Sequence, residues 1–175
     1  MKVFIVRHGQ IPSNVQKRYP AVDEELTELG KQQALELREK IKDMEFDLII
    51  CSPLKRAKQT AQIINAGRFN IIYDDRIREQ DYGDLTGQHW DEESREKRWD
   101  YYYNGKFGTS ERIRPFFDRI FGFLDDLKTK DYDNVLIVAH AGVAKAFYAY
   151  FNGINEGKFL GVKIQNCEIK QYEFR

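Results

Sequence analysis

The chain alternates short apolar runs with longer stretches in which apolar residues recur every three or four positions. Continuous apolar runs cover residues 3–6, 48–51 and 135–139, and a fourth strand-like run covers residues 70–73. Short runs of this kind, without polar alternation, predict strands that are buried on both faces of a sheet. The stretches between them have the helical period, so the chain begins as βαβαβ, the order of a parallel sheet with helices on its faces.

Four helices are predicted around these strands. The first begins after Thr27 as N-cap, and the second opens with Ser52 as N-cap and Pro53 at its first position and extends to about Ala66. A third helix begins near Ser110, and a fourth covers residues 143–151. Two of them carry an apolar stripe that predicts one face packed on the sheet: Gly30, Ala34, Leu37, Ile41 and Met44 in the first, and Ile113, Phe116, Phe117, Ile120, Phe123, Leu124 and Leu127 in the third.

The C-terminal part is predicted to close the sheet with two further strands, at residues 160–164 and 168–174. The last alternates apolar with polar residues, as an edge strand does. A chain of 175 residues without an internal repeat, a low-complexity segment or a linker is expected to form one domain over residues 1–175. The predicted fold class is α/β, a three-layer sandwich with a mostly parallel central sheet flanked by helices.

Composition narrows the classes of partner. Lys and Arg total 28, and Asp and Glu total 28, so the formal net charge is zero, which argues against a general nucleic-acid or membrane-surface role. No apolar run is long enough to span a bilayer, and the N-terminus enters a strand without a signal-peptide pattern, so we expect a cytoplasmic protein. Cys51 and Cys167 lie in apolar or strand-like contexts and are expected to be buried, reduced thiols.

Charged and basic side chains follow two of the predicted strands. Arg7 and His8 come directly after the first, and His140 comes directly after the strand at 135–139. Because parallel strands end at the same edge of a sheet, these side chains are expected to lie close together. Arg56, one turn into the helix that follows the second strand, is expected near the same edge.

The pattern around these residues predicts a site for a dianionic phosphate. His140 is followed by Ala141 and Gly142 at the start of a helix, whose free N–H groups favour an anion. A metal site is the competing use of the two histidines, but two adjacent arginines would repel a divalent cation and no ligand spacing supports it. A nucleotide-binding module is disfavoured because neither G-x-G-x-x-G nor G-x-x-x-x-G-K-[ST] occurs. The expected partner is a small-molecule phosphate ester.

Five segments, in order along the chain, carry a resemblance to a known family. They are V-R-H-G-Q-I-P-S-N, L-T-E-L-G-K-Q-Q-A, S-P-L-K-R-A-K-Q-T-A, R-E-Q-D-Y-G-D-L-T-G and V-A-H-A-G. Together they resemble the histidine phosphatase superfamily, the phosphoglycerate-mutase-like group, and within it the phosphatase branch that includes α-ribazole phosphatases and broad-specificity phosphatases. The resemblance implies the phosphoglycerate-mutase-like form of the predicted sandwich, and it requires no metal and no other cofactor.

The resemblance also implies roles for single residues. His8 would be the nucleophile that takes the phosphoryl group, and Glu79 falls where the family has its general acid; the nearby Asp81 and Asp84 are the alternatives for the acid. The remaining members would bind phosphate or support catalysis: Arg7, Asn14, Arg56, His140, Ala141 and Gly142. Phosphoryl transfer agrees with this set, since it depends on cationic stabilisation and on a proton for a poor leaving group.

The predicted function is therefore metal-independent hydrolysis of small phosphate monoesters through a phosphohistidine at His8. A mutase that returns the phosphoryl group to a sugar acid is one alternative; it is disfavoured because only about thirty residues separate Glu79 from the helix near Ser110, where family mutases carry a longer insertion. A non-catalytic phospho-ligand binder is the other, and it would need neither nucleophile nor acid. Ile11 and Thr86 depart from the family pattern and leave the substrate open.

The segment from Trp90 to Phe107 has no assigned role. His89 before it is expected to be a surface histidine, and the charge run 95–98 is expected to be a solvated helix face. The aromatic run 99–103 either packs in the core, which is favoured, or caps the pocket. The resemblance also aligns Glu111 and Arg119 with a family segment whose flanks differ here.

Overall fold

The computed structural model describes residues 1–174, which form five strands and six α-helices. The strands are β1 (Lys2–Arg7), β2 (Leu48–Cys51), β3 (Ile71–Tyr73), β4 (Asn134–Ala139) and β5 (Ile169–Glu173). The helices are α1 (Pro12–Gln16), α2 (Glu28–Lys40), α3 (Lys55–Asn65), α4 (Glu92–Arg98), α5 (Ile113–Lys128) and α6 (Ala141–Asn152). Short 3-10 turns at Asp75–Ile77 and Gly83–Leu85 lie between β3 and α4.

The described strands form one sheet in the order β3-β2-β4-β1-β5. The first four are parallel, and β5 pairs antiparallel with β1 at the edge. Successive side chains of a strand point to opposite faces, and the core divides accordingly. Ile5, Ile50 and Ile137 pack with α5 and α6 on one face, while Val6, Ile49 and Val138 pack with α2 and α3 on the other. The predicted three-layer α/β fold is confirmed.

Two local predictions of the sequence are wrong. The second helix begins at Lys55 with Leu54 as its N-cap residue, and Ser52 lies before it, where its hydroxyl contacts His140 at 2.7 Å and accepts from the Leu54 N–H at 3.4 Å. Residues 160–164 form turns and coil, so the only C-terminal strand among residues 1–174 is β5.

The buried side chain of Lys145 explains why the segment before β5 does not join the sheet. Its Nζ donates to the carbonyls of Phe159, Leu160 and Val162, and Arg7 donates to the carbonyl of Ile164. Side-chain donors therefore satisfy the carbonyl groups that a ladder would otherwise use. Burial lowers the pKa of Lys145 to about 7, against the effect of nearby Glu79.

The other predicted helices are present, but α2 ends at Lys40, so Ile41 and Met44 of its predicted stripe lie beyond the helix. Thr27 caps α2, since its hydroxyl accepts from the N–H of Gly30, and α3 ends at Ala66 in the left-handed conformation. The loop predicted from residue 10 to residue 25 also contains the short helix α1. Within residues 1–174, no helix combines the length and the apolar character needed to cross a membrane.

Candidate active site

Two histidines meet at the carboxyl edge of adjacent strands. Arg7 at the end of β1 pairs with Ala139 at the end of β4, and the N–H of His8 donates to the Ala139 carbonyl at 3.0 Å. His140 follows Ala139 directly, so the two imidazoles face each other with ring centroids 5.2 Å apart and an interplanar angle of 60°. Both side chains are buried. The proximity expected from the parallel strands is confirmed.

The ring of His8 is oriented by its own neighbour in the chain. Its Nδ1 lies 2.7 Å from the carbonyl oxygen of Gly9. A carbonyl only accepts, so Nδ1 carries the proton and Nε2 keeps its lone pair. Gly9 is required here because a Cβ would overlap with the backbone carbonyl of Gly30 at the start of α2. The sequence did not identify this partner.

His140 is oriented by Ser52. Its Nε2 lies 2.7 Å from the Ser52 hydroxyl, which also accepts from the Leu54 N–H at 3.4 Å. The hydroxyl can donate to Nε2 while it accepts from Leu54, and Nδ1 of the ring is left without a protein partner. When the hydroxyl donates, the neutral ring carries its proton on Nδ1. The arrangement offers His140 Nδ1–H as a donor to a ligand.

Two arginines, the partly buried Arg7 and the buried Arg56, stand beside the imidazoles. Arg56 is 2% exposed and donates to the Ala21 carbonyl at 2.8 Å, while Arg7 donates to the Ile164 carbonyl at 2.9 Å. The Nε of each is buried without a partner. Burial lowers the pKa of both guanidiniums, and Glu79 opposes that shift. Arginine stays protonated in proteins, so both carry charge with donors left for an anion.

The same surroundings keep both imidazoles neutral. The pKa of His8 lies well below 6.5, chiefly because of burial and then because of the charges of Arg56 and Arg7. The pKa of His140 is also well below 6.5, for the same first two causes. A neutral imidazole is the form that can act as a nucleophile.

Glu79 lies at the N-terminus of α6. One carboxylate oxygen accepts the N–H of Gly142 at 3.2 Å and the other accepts the N–H of Gln80 at 3.0 Å. The N–H of Gly142, expected to bind phosphate, is therefore engaged by the carboxylate, and Ala141 lines the cavity beside it. A Cβ at Gly142 would overlap with Glu79 Oε1, so glycine is needed for this close approach.

Asn14 is held by a residue that the sequence did not identify. Its Oδ1 accepts from the N–H of Ile11 at 3.2 Å and from Asn166 Nδ2 at 3.1 Å. The same Asn166 amide donates to the His8 carbonyl at 2.9 Å. Because both donors address Oδ1, the Nδ2 of Asn14 is left to face the cavity. Asn166 gave no signal because its partners are more than 150 positions away in the chain.

Six of the predicted site residues line a cavity of about 190 Å³, whereas His140 and Arg56 do not. Arg7, His8, Asn14, Glu79, Ala141 and Gly142 contribute to it, as do Arg18, Trp90, Arg95, Trp99 and Lys145. A second cavity of about 520 Å³ lies on the other side of Glu79 and Tyr82, and Arg56 lines that one. The alternative acids are elsewhere: Asp81 lines only the larger cavity, and Asp84 lines neither.

The segment that the sequence left without a role forms one wall of the smaller cavity. Trp99 is buried in the core and also lines the cavity. The two alternatives for the aromatic run, core packing and a place at the pocket, therefore both apply to this residue. The charge run 95–98 is not uniformly solvated: Arg98 is 3% exposed, and it donates to Gln80 and Ser110. A run of charges on a short helix does not reveal which member points inward. His89 is exposed, as predicted.

Groups suited to metal binding do not assemble in the described part of the chain. No cluster of three His, Cys, Asp or Glu side chains that could hold an ion occurs within residues 1–174.

The two cysteines are free thiols. Cys51 is buried, as expected, whereas Cys167 is only partly buried. Burial raises the pKa of each to about 12, so neither is a thiolate at neutral pH.

Comparisons with known proteins agree with this geometry. A family model described as the histidine phosphatase superfamily (branch 1) matches residues 3–175. A Bacillus subtilis (strain 168) protein named uncharacterized phosphatase PhoE is 35% identical over 98% of this chain and 88% of its own length. Phosphoserine phosphatase 1 of Hydrogenobacter thermophilus is 30% identical over 95% of this chain and 83% of its own. The crystal structure of α-ribazole phosphatase from Shigella flexneri superposes with a TM-score of 0.86 at 25% identity, covering 100% of this chain and 91% of that one.

Proposed function

The chain belongs to the histidine phosphatase superfamily, and we propose that it hydrolyses small phosphate monoesters by passing the phosphoryl group through His8 to water. It is a phosphoric monoester hydrolase, as its family and relatives indicate. One observation carries the assignment of the nucleophile: the contact of His8 Nδ1 with the Gly9 carbonyl leaves Nε2 with a free lone pair near the guanidiniums of Arg7 and Arg56.

In the first step, His8 Nε2 attacks phosphorus while the bond to the leaving oxygen breaks. Arg7 and Arg56 stabilise the charge on the equatorial oxygens of the transferred group, and His140 Nδ1–H donates to one of them. Glu79 gives a proton to the leaving oxygen, so the alcohol departs neutral and Glu79 becomes a carboxylate.

In the second step, that carboxylate takes a proton from water. The resulting oxygen nucleophile attacks the phosphohistidine, the N–P bond breaks, and inorganic phosphate forms as His8 returns to its neutral state. Asn14 Nδ2 donates to the phosphoryl oxygens in both steps. The scheme assigns no step to a metal, so activity is expected to survive dialysis against EDTA.

The cavity favours a small leaving group that carries negative charge. Its volume of about 190 Å³ admits a phosphate and only a few further atoms. Arg18 and Arg95 line it in addition to Arg7, whereas Glu79 is its one carboxylate among the described residues. Because Arg7 is assigned to the phosphate, the two additional arginines of this cavity suit a carboxylate on the leaving group. Phosphoserine, the substrate named for one relative, is of this class.

Phosphate release from a panel of monoesters tests the activity and its nucleophile. The panel contains phosphoserine, 3-phosphoglycerate, an alkyl phosphate without a carboxylate, and p-nitrophenyl phosphate; isomerisation of phosphoglycerate is followed in parallel to detect a mutase. His8→Ala is expected to lose several orders of magnitude in kcat, because unassisted hydrolysis of these esters is extremely slow.

His89→Ala is the matched control, since His89 is exposed and lies outside both cavities. It should keep the wild-type rate. A His8→Ala enzyme with even a tenth of wild-type activity would remove His8 from the nucleophile's role. As part of the same proposal, residues 1–175 form one such domain, and the two free thiols suit a reducing cytoplasm.

A further inference from the structure

We propose that Arg119 and Glu111 are positioning residues that hold the Glu79 carboxyl in place for proton transfer. The inference rests on the proposed role of Glu79 as the acid. Both residues line the larger cavity on the other side of Glu79 and not the smaller one that contains His8, and their side chains bond to each other and to the backbone that carries Glu79. Their effect would be exerted through the backbone that carries Glu79.

Arg119 on α5 donates to three carbonyl groups of the segment that ends at Glu79. Its Nη1 lies 2.5 Å from the Arg76 oxygen and 2.9 Å from the Arg78 oxygen, and its Nη2 lies 3.2 Å from the Glu79 oxygen. The guanidinium is planar and rigid, so one side chain fixes the relative positions of these three acceptors. Irregular backbone between β3 and α4 has no ladder to do this.

Glu111 orients the guanidinium and holds the next two residues. Its carboxylate accepts from Arg119 Nε at 2.9 Å and from Nη2 at 3.0 Å, the bidentate geometry that is most specific for arginine. The same carboxylate accepts the Asp81 N–H at 3.2 Å, and the backbone of Glu111 exchanges hydrogen bonds with Asp81 and with the Gln80 side chain at 2.8 Å each. Segment 76–81 is thus held along its length.

The Glu79 carboxyl depends on this backbone for its position. Its hydrogen-bond donors among the described residues are the backbone N–H groups of Gln80 and Gly142. The first belongs to the held segment itself, so a shift of that backbone moves the carboxyl relative to α6 and to the cavity. Misplacement of a proton donor by about 1 Å can cost on the order of a hundredfold in rate.

A purely structural role for the pair predicts something different. Arg119 and Glu111 are only 24% and 19% exposed, so the bidentate pair and its backbone hydrogen bonds also stabilise the folded loop. If the pair only joined α5 to the loop, its loss would lower the melting temperature or the amount of active enzyme. Activity would then fall by the same factor on every substrate. A positioning role changes only the step in which the acid acts.

The test measures kcat/KM on an alkyl phosphate and on p-nitrophenyl phosphate for Arg119→Lys and Glu111→Gln. The alkoxide needs the acid's proton and the phenolate does not, so we expect at least a tenfold loss on the alkyl ester and less than threefold on the aryl ester. The control is Arg114→Lys: Arg114 is also on α5 and donates to backbone carbonyls, those of Tyr101 and Tyr102 at 3.0 and 3.3 Å, yet does not contact the Glu79 segment. It should leave both rates unchanged.

Two comparisons separate this inference from the proposed function. If Glu79→Gln loses equally on both esters, the acid assignment fails and the positioning role fails with it. If Glu79→Gln is selective but both Arg119→Lys and Glu111→Gln lose equally on the two esters, only the positioning role is overturned. When Arg119→Lys is added to Glu79→Gln, kcat/KM on the alkyl phosphate should fall by less than a further factor of two. The conservative Glu111→Gln keeps the test decisive if Arg119→Lys lowers the yield of folded protein.

Discussion

The imidazole rings of His8 and His140 lie 5.2 Å apart in a buried setting, and both are held neutral. Burial disfavours the charged forms, and the guanidiniums of Arg7 and Arg56 add to the effect. The result is a nucleophile that keeps its lone pair and a donor that faces the same ligand. Two neutral histidines beside charged arginines are suited to binding an anionic ligand such as a phosphate dianion.

The neutral pair predicts how stability depends on pH. Below about pH 6.5 the unfolded chain protonates both residues while the folded protein does not, because their folded pKa values are depressed. Their contribution is complete above pH 6.5 and is lost as the pH falls. The free energy of unfolding should drop by up to about 1.4 kcal/mol per pH unit for each histidine.

Urea titrations at pH 7.5, 6.5 and 5.5 measure this dependence. His140→Gln, which can still bond to Ser52, should show a shallower decline than the wild type. His89→Gln should match the wild type, since that side chain is exposed. Parallel declines for all three proteins would show that the buried histidines are not its source.

The leaving group distinguishes Glu79 from the phosphate-binding arginines. Glu79→Gln should lose at least tenfold in kcat/KM on an alkyl phosphate and far less on p-nitrophenyl phosphate, whose phenolate departs without a proton. Arg56→Ala should weaken both substrates by similar factors, because it acts on the transferred group that they share. Equal losses for Glu79→Gln on the two esters would exclude Glu79 as the acid.

A substitution at Gly142 also tests the position of the Glu79 carboxyl. Gly142→Ala would place a methyl group against Glu79 Oε1 and 2.8 Å from the Trp99 ring, so the Glu79 carboxyl would have to move. We expect a loss of at least tenfold in kcat on the alkyl ester. In Gly122→Ala, on the exposed face of α5, the new Cβ meets nothing within 4 Å, so activity should be unchanged and stability should rise by roughly 0.5–1 kcal/mol. Similar activities for the two variants would contradict the assigned position of Glu79.

The hydrogen bonds of Asn166 predict a coupling to Asn14. Asn166→Ala frees Asn14 to rotate its amide and present oxygen to the phosphate, so vanadate and inorganic phosphate should inhibit about tenfold less strongly, in line with one charge-assisted hydrogen bond. In an Asn14→Ala background the same change should have little further effect. Additive losses in the double variant would mean that Asn166 does not act through Asn14.

The sequence predicted the fold because its strands are strongly apolar and their order is simple. The continuous runs at β1, β2 and β4 can be covered only by helices on both faces, and the parallel order brings the ends of β1 and β4 together. His8, Arg7 and His140 could therefore be placed from position alone. Glu79 and Asn14 needed the family resemblance, since no periodicity marks them.

What the sequence missed depends on contacts between distant parts of the chain. Ser52 and Pro53 have the local pattern of a helix start, but the Ser52 hydroxyl has a stronger partner in His140. Residues 160–164 have the composition of a strand, but the Lys145 ammonium donates hydrogen bonds to carbonyl groups in and next to this segment. Arg98 was predicted to lie on a solvated helix face, but its side chain is buried and donates to Gln80 and Ser110. Such competition is decided by tertiary structure.

The most direct test of the account is to trap the phosphoenzyme. Wild-type enzyme is mixed with a good substrate and quenched in alkali within one turnover, because phosphohistidine is labile in acid, and the phosphorylated peptide is located by mass spectrometry. The account predicts phosphate on the peptide that contains His8, formed and lost fast enough to support turnover, and none in His8→Ala. Phosphate on His140, or steady turnover by an enzyme that never carries phosphate on His8, would contradict it.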